Sequence, residues 1–416
     1  MRGSVTRIFE FLGLKRSIVG LLAMVVLIGM GEKMADRFLP IYIMALGGGP
    51  IAIGILSALT NLLGALYSFP GGYLSDRIGT KNALLVFNAM SIAGYLVVIF
   101  IPSWYAVIGG SILFLSWTAI SLPATMSLVA KVLPKSKRTM GVTVHSLVRR
   151  IPMALGPVIG GLFIGIWGEE HGIRYAFVCA LVLAIISAAA QQVLIEEKHQ
   201  QEKKDAELAP FKLLDLMSPA LRKLLVADIL VRFCEQIPAA FVVVWAMKTI
   251  MHPVTGVQFG VLTTVEMATA ILIYIPVAYF ADKGSKKPFV VMTFGFFTLF
   301  PLVLLFSHSF VPLVLAFIVR GLKEFGEPTR KALIMDLAPE DRKAAMFGLY
   351  YLLRDVIVTA AAFGGAFLWE IGPSVNLLTA FVFGIAGTVW FAVFGSDLSA
   401  EQKQARERIE VPVQTI

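Results

Sequence analysis

Long apolar runs separated by short polar segments are the dominant pattern of this chain. A helix that crosses the hydrocarbon core of a bilayer needs about 20 predominantly apolar residues. Membrane β-strands alternate apolar and polar positions, whereas Leu181–Ala190 and Phe289–Phe306 are apolar without alternation. The pattern therefore predicts about twelve transmembrane helices, numbered spans 1 to 12 in chain order: 17–46, 51–75, 82–101, 104–130, 140–167, 173–195, 220–249, 256–281, 288–307, 311–337, 343–370 and 374–396.

The composition supports an all-α membrane protein. The 416 residues are 57% hydrophobic and 15% charged, whereas a soluble domain carries roughly 25% charged residues. The segment Glu196–Pro210 is the longest charged interruption and suits a solvated linker. We expect an N-terminal six-helix bundle over 1–195, a cytoplasmic linker over 196–219, a C-terminal six-helix bundle over 220–398 and a cytoplasmic tail over 399–416.

The positive charges alternate between connections. The net charge is +9, but the connections on one predicted side of the membrane carry only Arg174 and Lys248 among basic residues. Basic residues on the other side indicate the cytoplasmic face. The chain is therefore expected in the cytoplasmic membrane with both termini inside, and these residues are read as orientation signals rather than as a nucleic-acid surface.

Prolines, glycines and charges recur in the two halves at a spacing of about 205 residues. Such internal repeats are frequent in membrane transporters, with the substrate site between the repeats. The matched pairs are Pro70 with Pro276, Asp76 with Asp282, Pro123 with Pro328, Pro134 with Pro339, Arg150 with Arg354, Gly160 with Gly364, and Gly161 with Gly365.

The connection after span 2 carries a family signature. Gly71–Lys81 reads GGYLSDRIGTK, and a degenerate copy, AYFADKGSKK, follows span 8. The first copy resembles the G-x-L-x-D-R-x-G-R-K loop of the major facilitator superfamily, twelve-helix type, with Thr80 where arginine is commonest. The resemblance implies two pseudo-symmetric six-helix bundles and a cytoplasmic gating loop that latches them. Its residues here are Gly72, Asp76, Arg77, Gly79, Lys81 and Asp282.

Span 5 carries a second motif, Gly156, Pro157, Gly160 and Gly161. It resembles the G-P-x-x-G-G motif of the superfamily's proton-linked exporters. Proline removes a backbone hydrogen bond and bends a helix, and glycine lets a neighbouring helix approach closely. The alternative interpretation is an ordinary glycine-rich packing face.

Several charged residues fall inside predicted spans. A charge at the bilayer centre costs at least about 2.5–3.5 kcal/mol, so these residues are expected to face a wet cavity or a partner. The predicted substrate and proton pathway consists of Glu32, Asp36, Arg37, Arg150, Glu235, Glu266, Arg320, Glu324 and Arg354. The repeat match with Arg354 favours Arg150 over Arg149 as the cavity residue.

The sequence offers four candidate proton carriers, the carboxylates of Glu266, Glu32, Asp36 and Glu235. Glu266 lies alone in an apolar stretch, with no partner in its own helix. Glu32 and Asp36 share a helix face, where two carboxylates can shift each other's protonation. Alternatively, Lys33 pairs with Asp36 and nothing titrates. Arg320 and Glu324 lie one turn apart and form either a structural pair or part of the pathway.

These features favour secondary active transport of a small solute, with proton-coupled efflux as the leading interpretation. Arg150 and Arg354 suit a carboxylate or phosphate, which makes an organic anion a plausible cargo. The alternatives are a symporter or facilitator that imports a metabolite, and a non-transporting receptor or assembly subunit. The sequence shows no metal cluster, nucleophile–base set or nucleotide-binding loop, so we expect no enzymatic activity and no cofactor. The chain is also expected to be a monomer. Cys179 and Cys234 are read as packing residues.

Overall fold

The computed structural model describes residues 16–114, 135–194, 214–281, 285–339 and 342–397, and it contains α-helices throughout those ranges. They are α1 (Arg16–Asp36), α2 (Leu39–Ala45), α3 (Pro50–Ile78), α4 (Thr80–Phe100), α5 (Trp104–Phe114), α6 (Lys135–Leu194), α7 (Pro219–Ala239), α8 (Val242–Val244), a π-helical turn (Trp245–Thr249), α9 (Gly256–Ala281), α10 (Lys287–Leu305), α11 (Phe310–Leu322), α12 (Glu327–Leu337), α13 (Lys343–Ile371) and α14 (Pro373–Phe394).

The all-α membrane architecture is confirmed. Helices lie on all of the predicted spans, and span 4 is described as far as Phe114. Seven of the described helices are long and apolar enough to cross a membrane, or eight when the bent pair formed by α7 and residues 242–249 counts as one. Spans 5 and 6 lie in α6, which is broken at Gly168, where φ is 77° and ψ is 178°. This left-handed backbone suits glycine because it has no Cβ.

Within the described residues, three spans are interrupted inside the predicted membrane region. Span 1 breaks between α1 and α2, just before Pro40, and span 7 breaks between α7 and α8, just after Pro238. Span 10 breaks between α11 and α12, just before Pro328. Interrupted backbone at membrane depth is tolerated where protein or a polar cavity surrounds it. The breaks therefore point to an internal cavity.

The connections fall at two ends of the helix array. We call one end the "hairpin end"; it carries the connections at residues 46–49, 101–103, 168, 250–255, 306–309 and 372. We call the opposite end the "linker end"; it carries the connection at Gly79 and the start of α7 at Pro219. Helix α6 packs on α9, and α3 packs on α13, so each of these contacts joins the first half of the chain to the second. Gly54 of α3 faces Ala366 of α13, where an added Cβ would lie 2.5 Å from the alanine Cβ.

An apolar cluster closes the hairpin end. It contains Phe38, Tyr42 and Phe177 from the first half together with Phe259 and Trp369 from the second. The rings of Phe38 and Phe259 lie 5.8 Å apart in an edge-to-face arrangement. Rings in this geometry attract each other, so the two halves form a continuous core there.

The predicted gating loop is described in part. Asp282 lies outside the described residues. Gly72 and Asp76 fall within α3, and the side chain of Asp76 lies outside the described part of the chain. Arg77 is exposed, Gly79 has a φ of 87°, and the Nζ of Lys81 donates to the backbone oxygen of Gln192 at 2.7 Å. The latch role of this loop stays a prediction.

Candidate functional site

A cavity of about 230 Å³ lies between the two halves of the chain. Its polar lining comes from the breaks in spans 1 and 7, the middle of α3 and the end of α11: Asp36, Arg37, Ser57, Thr60, Asn61, Gln236 and Arg320. Its apolar lining includes Leu39, Pro40, Leu56, Val242, Val243 and Phe259. The cavity thus combines a charged wall, a neutral polar wall and an apolar floor.

The charged wall is organised around Glu266 of α9. Its carboxylate is 1% exposed and lies 3.3 Å from Arg320 Nε, 3.6 Å from Lys323 Nζ and 3.9 Å from Arg37 Nη2. Oε2 of Glu266 has no hydrogen-bond partner among the described residues. The guanidinium of Arg320 also lies over the rings of Phe300 and Phe317, at 5.2 and 5.6 Å. Arg37 belongs to the first half, so this carboxylate bridges the halves.

The neutral polar wall contains two side-chain amides, those of Asn61 and Gln236. The Nδ2 of Asn61 donates to Oε1 of Gln236 at 3.0 Å, and this bond also joins the first half to the second. The hydroxyl of Thr60 on the same wall donates to the backbone oxygen of Leu56 at 2.8 Å. Both amides line the cavity.

A network of ion pairs extends from Glu266 into the second half. Lys323 contacts Glu266 and also Glu235, at 2.9 Å. Arg232 then contacts Glu235 at 2.5 Å and Glu327 at 3.5 Å. A second, water-sized cavity adjoins the first and is lined by Glu235, Lys323 and Arg320, so Arg320 borders both cavities.

The network ends nearer the linker end at Asp228, which is 1% exposed. Its carboxylate pairs with Arg330, lies 3.4 Å from Arg354 Nη1 and accepts a hydrogen bond from the Tyr350 hydroxyl at 3.1 Å. Buried charges require partners because desolvation costs several kcal/mol per ion. Several partners converge on each buried carboxylate here, which meets that requirement.

The predicted pathway residues fall into separate groups. Asp36, Arg37 and Arg320 line the main cavity, and Glu266 lies behind the two arginines. Glu235 lines only the smaller cavity. Arg354 lies in the Asp228 cluster and stacks on Tyr351 at 4.2 Å.

Two pairings differ from the sequence-based expectations. Arg320 pairs with Glu266, whereas Glu324 pairs across the halves with Arg150 at 3.8 Å. The local pair, one of the two interpretations of Arg320 and Glu324, does not form because α11 ends at Leu322 and the chain then turns. Arg150 is absent from the described lining of the cavity.

The Glu32 and Asp36 pair has the geometry of the alternative interpretation. The ammonium of Lys33 lies 2.9 Å from Glu32 and 2.7 Å from Asp36, so one cation serves both carboxylates. Glu32 is 5% exposed. The ammonium of Lys33 thus balances part of the negative charge of both carboxylates inside the span.

The span 5 motif forms a packing seam. Added Cβ atoms would lie 2.7 Å from the Lys33 side chain at Gly156, 1.9 Å from the Met34 oxygen at Gly160, and 2.3 Å from the Gly256 oxygen at Gly161. Gly156 and Gly160 therefore pack closely against α1, and Gly161 packs closely against α9. Small residues at such intervals let membrane helices approach closely.

Sequence reasoning missed Lys323, Asp228, Glu327 and Arg330 in the network, and the amides Asn61 and Gln236 in the cavity. Each is a polar residue inside an apolar span, which is the signal that could have singled it out. Among the described residues there is no group of three His, Cys, Asp or Glu side chains placed to hold a metal ion. Cys179 and Cys234 are free thiols.

Similar proteins agree with this architecture. An uncharacterized MFS-type transporter of Methanocaldococcus jannaschii is 20% identical over 86% of this chain and 89% of that protein. A crystal structure of the peptide transporter POT in complex with sulfate has a TM-score of 0.75 at 15% identity and covers 95% of both chains. A mutant of the nucleoside transporter NupG has a TM-score of 0.75 at 12% identity, covering 91% of this chain and 98% of that chain. At these identities the two structures indicate the fold.

The Major Facilitator Superfamily model matches residues 21–249 and 224–415, which together span nearly the whole chain. The match agrees with the loop after span 2, the repeated helix pattern and the cavity between the halves. This chain belongs to the Major Facilitator Superfamily and is a multi-pass membrane transporter.

Proposed function

We propose that this transporter carries a small organic anion together with a proton. The observation that carries the proposal is the position of Glu266, a buried carboxylate held between Arg37 and Arg320, both of which line the cavity. The side chain of Arg37 is 31% exposed, so its guanidinium remains within reach of a solute. Arginine binds carboxylates in bidentate geometry, and two arginines near one cavity suit an anionic group.

Proton and anion binding should favour each other at this site. While Glu266 is ionised, it occupies the two arginines and repels an incoming anion. Once Glu266 is protonated, the arginines lose their internal counter-charge and a cargo carboxylate can replace it. By linkage, an anion that binds more tightly when Glu266 is protonated also raises the affinity of Glu266 for its proton. Ligands that bind together cross together, which is cotransport.

The expected efflux by antiport is the second candidate. The span 5 motif resembles that of proton-linked exporters, and its glycines seat both α1 and α9. In an antiporter, however, a proton must displace the cargo. Glu266 provides that sign of coupling only for a cationic cargo that binds its carboxylate, so the sign of the proton–cargo coupling separates the two candidates.

The experiment is binding of carboxylates to the purified full chain as a function of pH. A ligand that binds the native state raises the unfolding temperature, so a panel of small carboxylates can be screened by thermal unfolding. We expect tighter binding as the pH falls. Glu266→Gln, which mimics the protonated side chain, should bind tightly at every pH. The matched control Glu370→Gln alters an exposed carboxylate and should keep the wild-type pH profile.

Three results would contradict or replace this proposal. Carboxylate binding that weakens on acidification, or a Glu266→Gln variant with the wild-type pH profile, would contradict the proposed coupling. A scaffold without transport predicts no cargo binding and no effect of Glu266→Gln. In proteoliposomes, an inward pH gradient should drive accumulation of the bound carboxylate by the wild-type protein, and Glu266→Gln should retain exchange without accumulation.

We further propose the orientation and organisation expected from the sequence. The linker end, with both termini, faces the cytoplasm because its connections are basic. Bundles over 1–195 and 220–398 are joined by the linker 196–219 and move as two bodies within a monomer. A single cysteine at exposed Lys223 should react with an impermeant thiol reagent only from the cytoplasmic side.

A further inference from the structure

We propose that the cargo is a hydroxylated organic acid, with its carboxylate on Arg37 and Arg320 and its hydroxyl groups on Asn61 and Gln236. The inference rests on the proposed function and adds how the rest of the cargo, beyond its carboxylate, is recognised. It is drawn from the cavity, whose two polar walls differ in chemistry.

The amide wall is built to meet hydroxyl groups. A primary amide offers two N–H donors and one acceptor oxygen. The bond from Asn61 Nδ2 to Gln236 Oε1 uses one donor and one acceptor, and Asn61 Nδ2 also donates to the backbone oxygen of Ser57 at 3.5 Å. The carbonyl oxygen of Asn61 and the amide nitrogen of Gln236 then complement a hydroxyl, which both donates and accepts.

An anion with a purely apolar tail suits this wall poorly. Its tail would cover two amides without replacing their bonds to water, and a buried polar group without a partner is costly. A hydroxylated chain satisfies the amides, and its carbon skeleton can lie on Leu56, Val243 and Phe259. A cavity of about 230 Å³ lies below the usual range of ligand pockets, which is about 300–1,000 Å³. The cavity therefore favours a small acid over a drug-sized one.

The amide wall also couples recognition to movement. Asn61 lies on α3 in the first half and Gln236 on α7 in the second, so a hydroxyl bound to both contacts both halves at once. A ligand shifts a conformational equilibrium only by its differential affinity for the two states. A hydroxylated acid gains contacts specific to the closed cavity at both ends, whereas its deoxy analogue gains them only at the arginines.

The test compares acids matched in carbon number that differ in hydroxyl groups. The probes are glycerate against propionate and gluconate against hexanoate, with dissociation constants measured on the purified full chain at acidic pH. One hydrogen bond is worth about 0.5–1.5 kcal/mol, so each lost bond should weaken binding by up to about tenfold. The two amides offer two such bonds, so we expect the wild-type protein to prefer each hydroxylated acid by about fivefold or more.

Two variants assign the preference to the amides. Asn61→Leu and Gln236→Leu each remove one of the two bonds, so each should lower the ratio of hydroxylated to deoxy affinity by about two- to tenfold. The matched control Asn82→Leu changes an exposed asparagine on α4 and should keep the wild-type ratio. The amides lie on different helices, so the second variant serves if the first fails to fold, which unfolding without ligand reports.

The outcomes separate this inference from the proposed function. If the wild-type protein binds both acids of a pair equally, or if the preference is undiminished in both leucine variants, the inference is overturned and anion transport stands. If none of the four acids binds, the anion site and the inference fall together. If binding is found but weakens on acidification, the proton coupling falls while the hydroxyl preference is still decided by the variants.

Discussion

At the scale of single residues, the interior is governed by compensation of charge. Glu266 has three cationic neighbours within 4 Å, and Asp228 also has three, counting Arg232 at 3.8 Å. Breaking a buried ion pair on one side is strongly destabilising because it leaves an uncompensated charge. Asp228 should therefore matter more for stability than a carboxylate that keeps contact with water.

A pair of aspartates tests this argument. Asp228 and Asp355 both contact Arg354, but Asp228 is 1% exposed whereas Asp355 is 27% exposed. Asp228→Asn removes the charge that balances Arg330 and Arg354 in the interior, and the expected cost is about 3–5 kcal/mol. Asp355→Asn should cost about 0–1 kcal/mol, as exposed pairs do.

The measurement is the unfolding temperature of both variants in the same detergent. Asp228→Asn should unfold several degrees below Asp355→Asn, and the latter should unfold close to the wild type. Equal unfolding temperatures for the two variants would show that the Asp228 cluster does not carry this stability.

At this scale, the sequence predicts which charged residues lie inside the membrane but not which residues they pair with. Lys33 and Asp36 are three residues apart on one helix, so their pairing could be anticipated from helix geometry. Glu266 could be singled out because nothing in α9 neutralises it. Its partners Arg37 and Arg320 come from other helices, and which helices meet depends on packing that a single sequence does not encode locally.

At the scale of helices, the length of the hydrophobic runs predicted where the helices lie but not where they are interrupted. A run of about 20 apolar residues has few alternatives to a membrane helix, so every predicted span carries a described helix. The breaks in spans 1, 7 and 10 lie beside prolines, but Pro157 and Pro301 sit inside continuous helices. Proline alone therefore does not distinguish a broken span from an intact one.

The contact between α6 and α1 gives a prediction at this scale. At Gly160 an added Cβ would lie 1.9 Å from the backbone oxygen of Met34, whereas at Gly165 it would meet nothing within 4 Å. Backbone cannot yield as a flexible side chain can, so Gly160→Ala must push α1 away. Overpacking of this kind costs typically about 1–3 kcal/mol. Gly165→Ala is the matched control on the same helix.

Thermal unfolding and binding together check this prediction. Gly160→Ala should lower the unfolding temperature and weaken carboxylate binding, because α1 leads directly to Arg37 at the cavity. Gly165→Ala should leave binding close to wild type and should not lower the unfolding temperature, because alanine is the better helix former. A stable Gly160→Ala variant with normal binding would mean that the seam between α1 and α6 is looser than the structure has it.

At the scale of the whole molecule, the repeat is visible in the sequence, but matching residues of its two copies have different partners. Arg150 pairs across the halves with Glu324, whereas its repeat mate Arg354 pairs within the second half with Asp228 and Asp355. Matching positions therefore predict the fold better than they predict the site. The asymmetry follows from the second half's own charges, since Asp228 and Arg330 draw Arg354 into their cluster.

Alternating access requires that the closed hairpin end open, and one exposed ion pair there tests this directly. Glu169 of α6 lies 2.6 Å from Lys248 of the π-helical turn, which joins the first half to the second. Lys248→Glu places two like charges at this contact and should favour the open state. An exposed pair is worth about 0.2–1 kcal/mol, so the open population should rise by up to about fivefold.

The readout needs no knowledge of the cargo. Ser57 lines the cavity, and a cysteine there should react with an impermeant thiol reagent from the hairpin end only while that end is open. In a background with Cys179 and Cys234 changed to alanine, Lys248→Glu and Glu169→Lys should each speed the labelling of Ser57→Cys. The charge swap that combines both changes restores an attractive pair and should return the rate to the starting value. The swap contains both substitutions, so any local disruption that they cause persists in it. If labelling of Ser57→Cys stays fast in the swap, local disruption explains the faster labelling, and the ion pair does not control opening of the hairpin end.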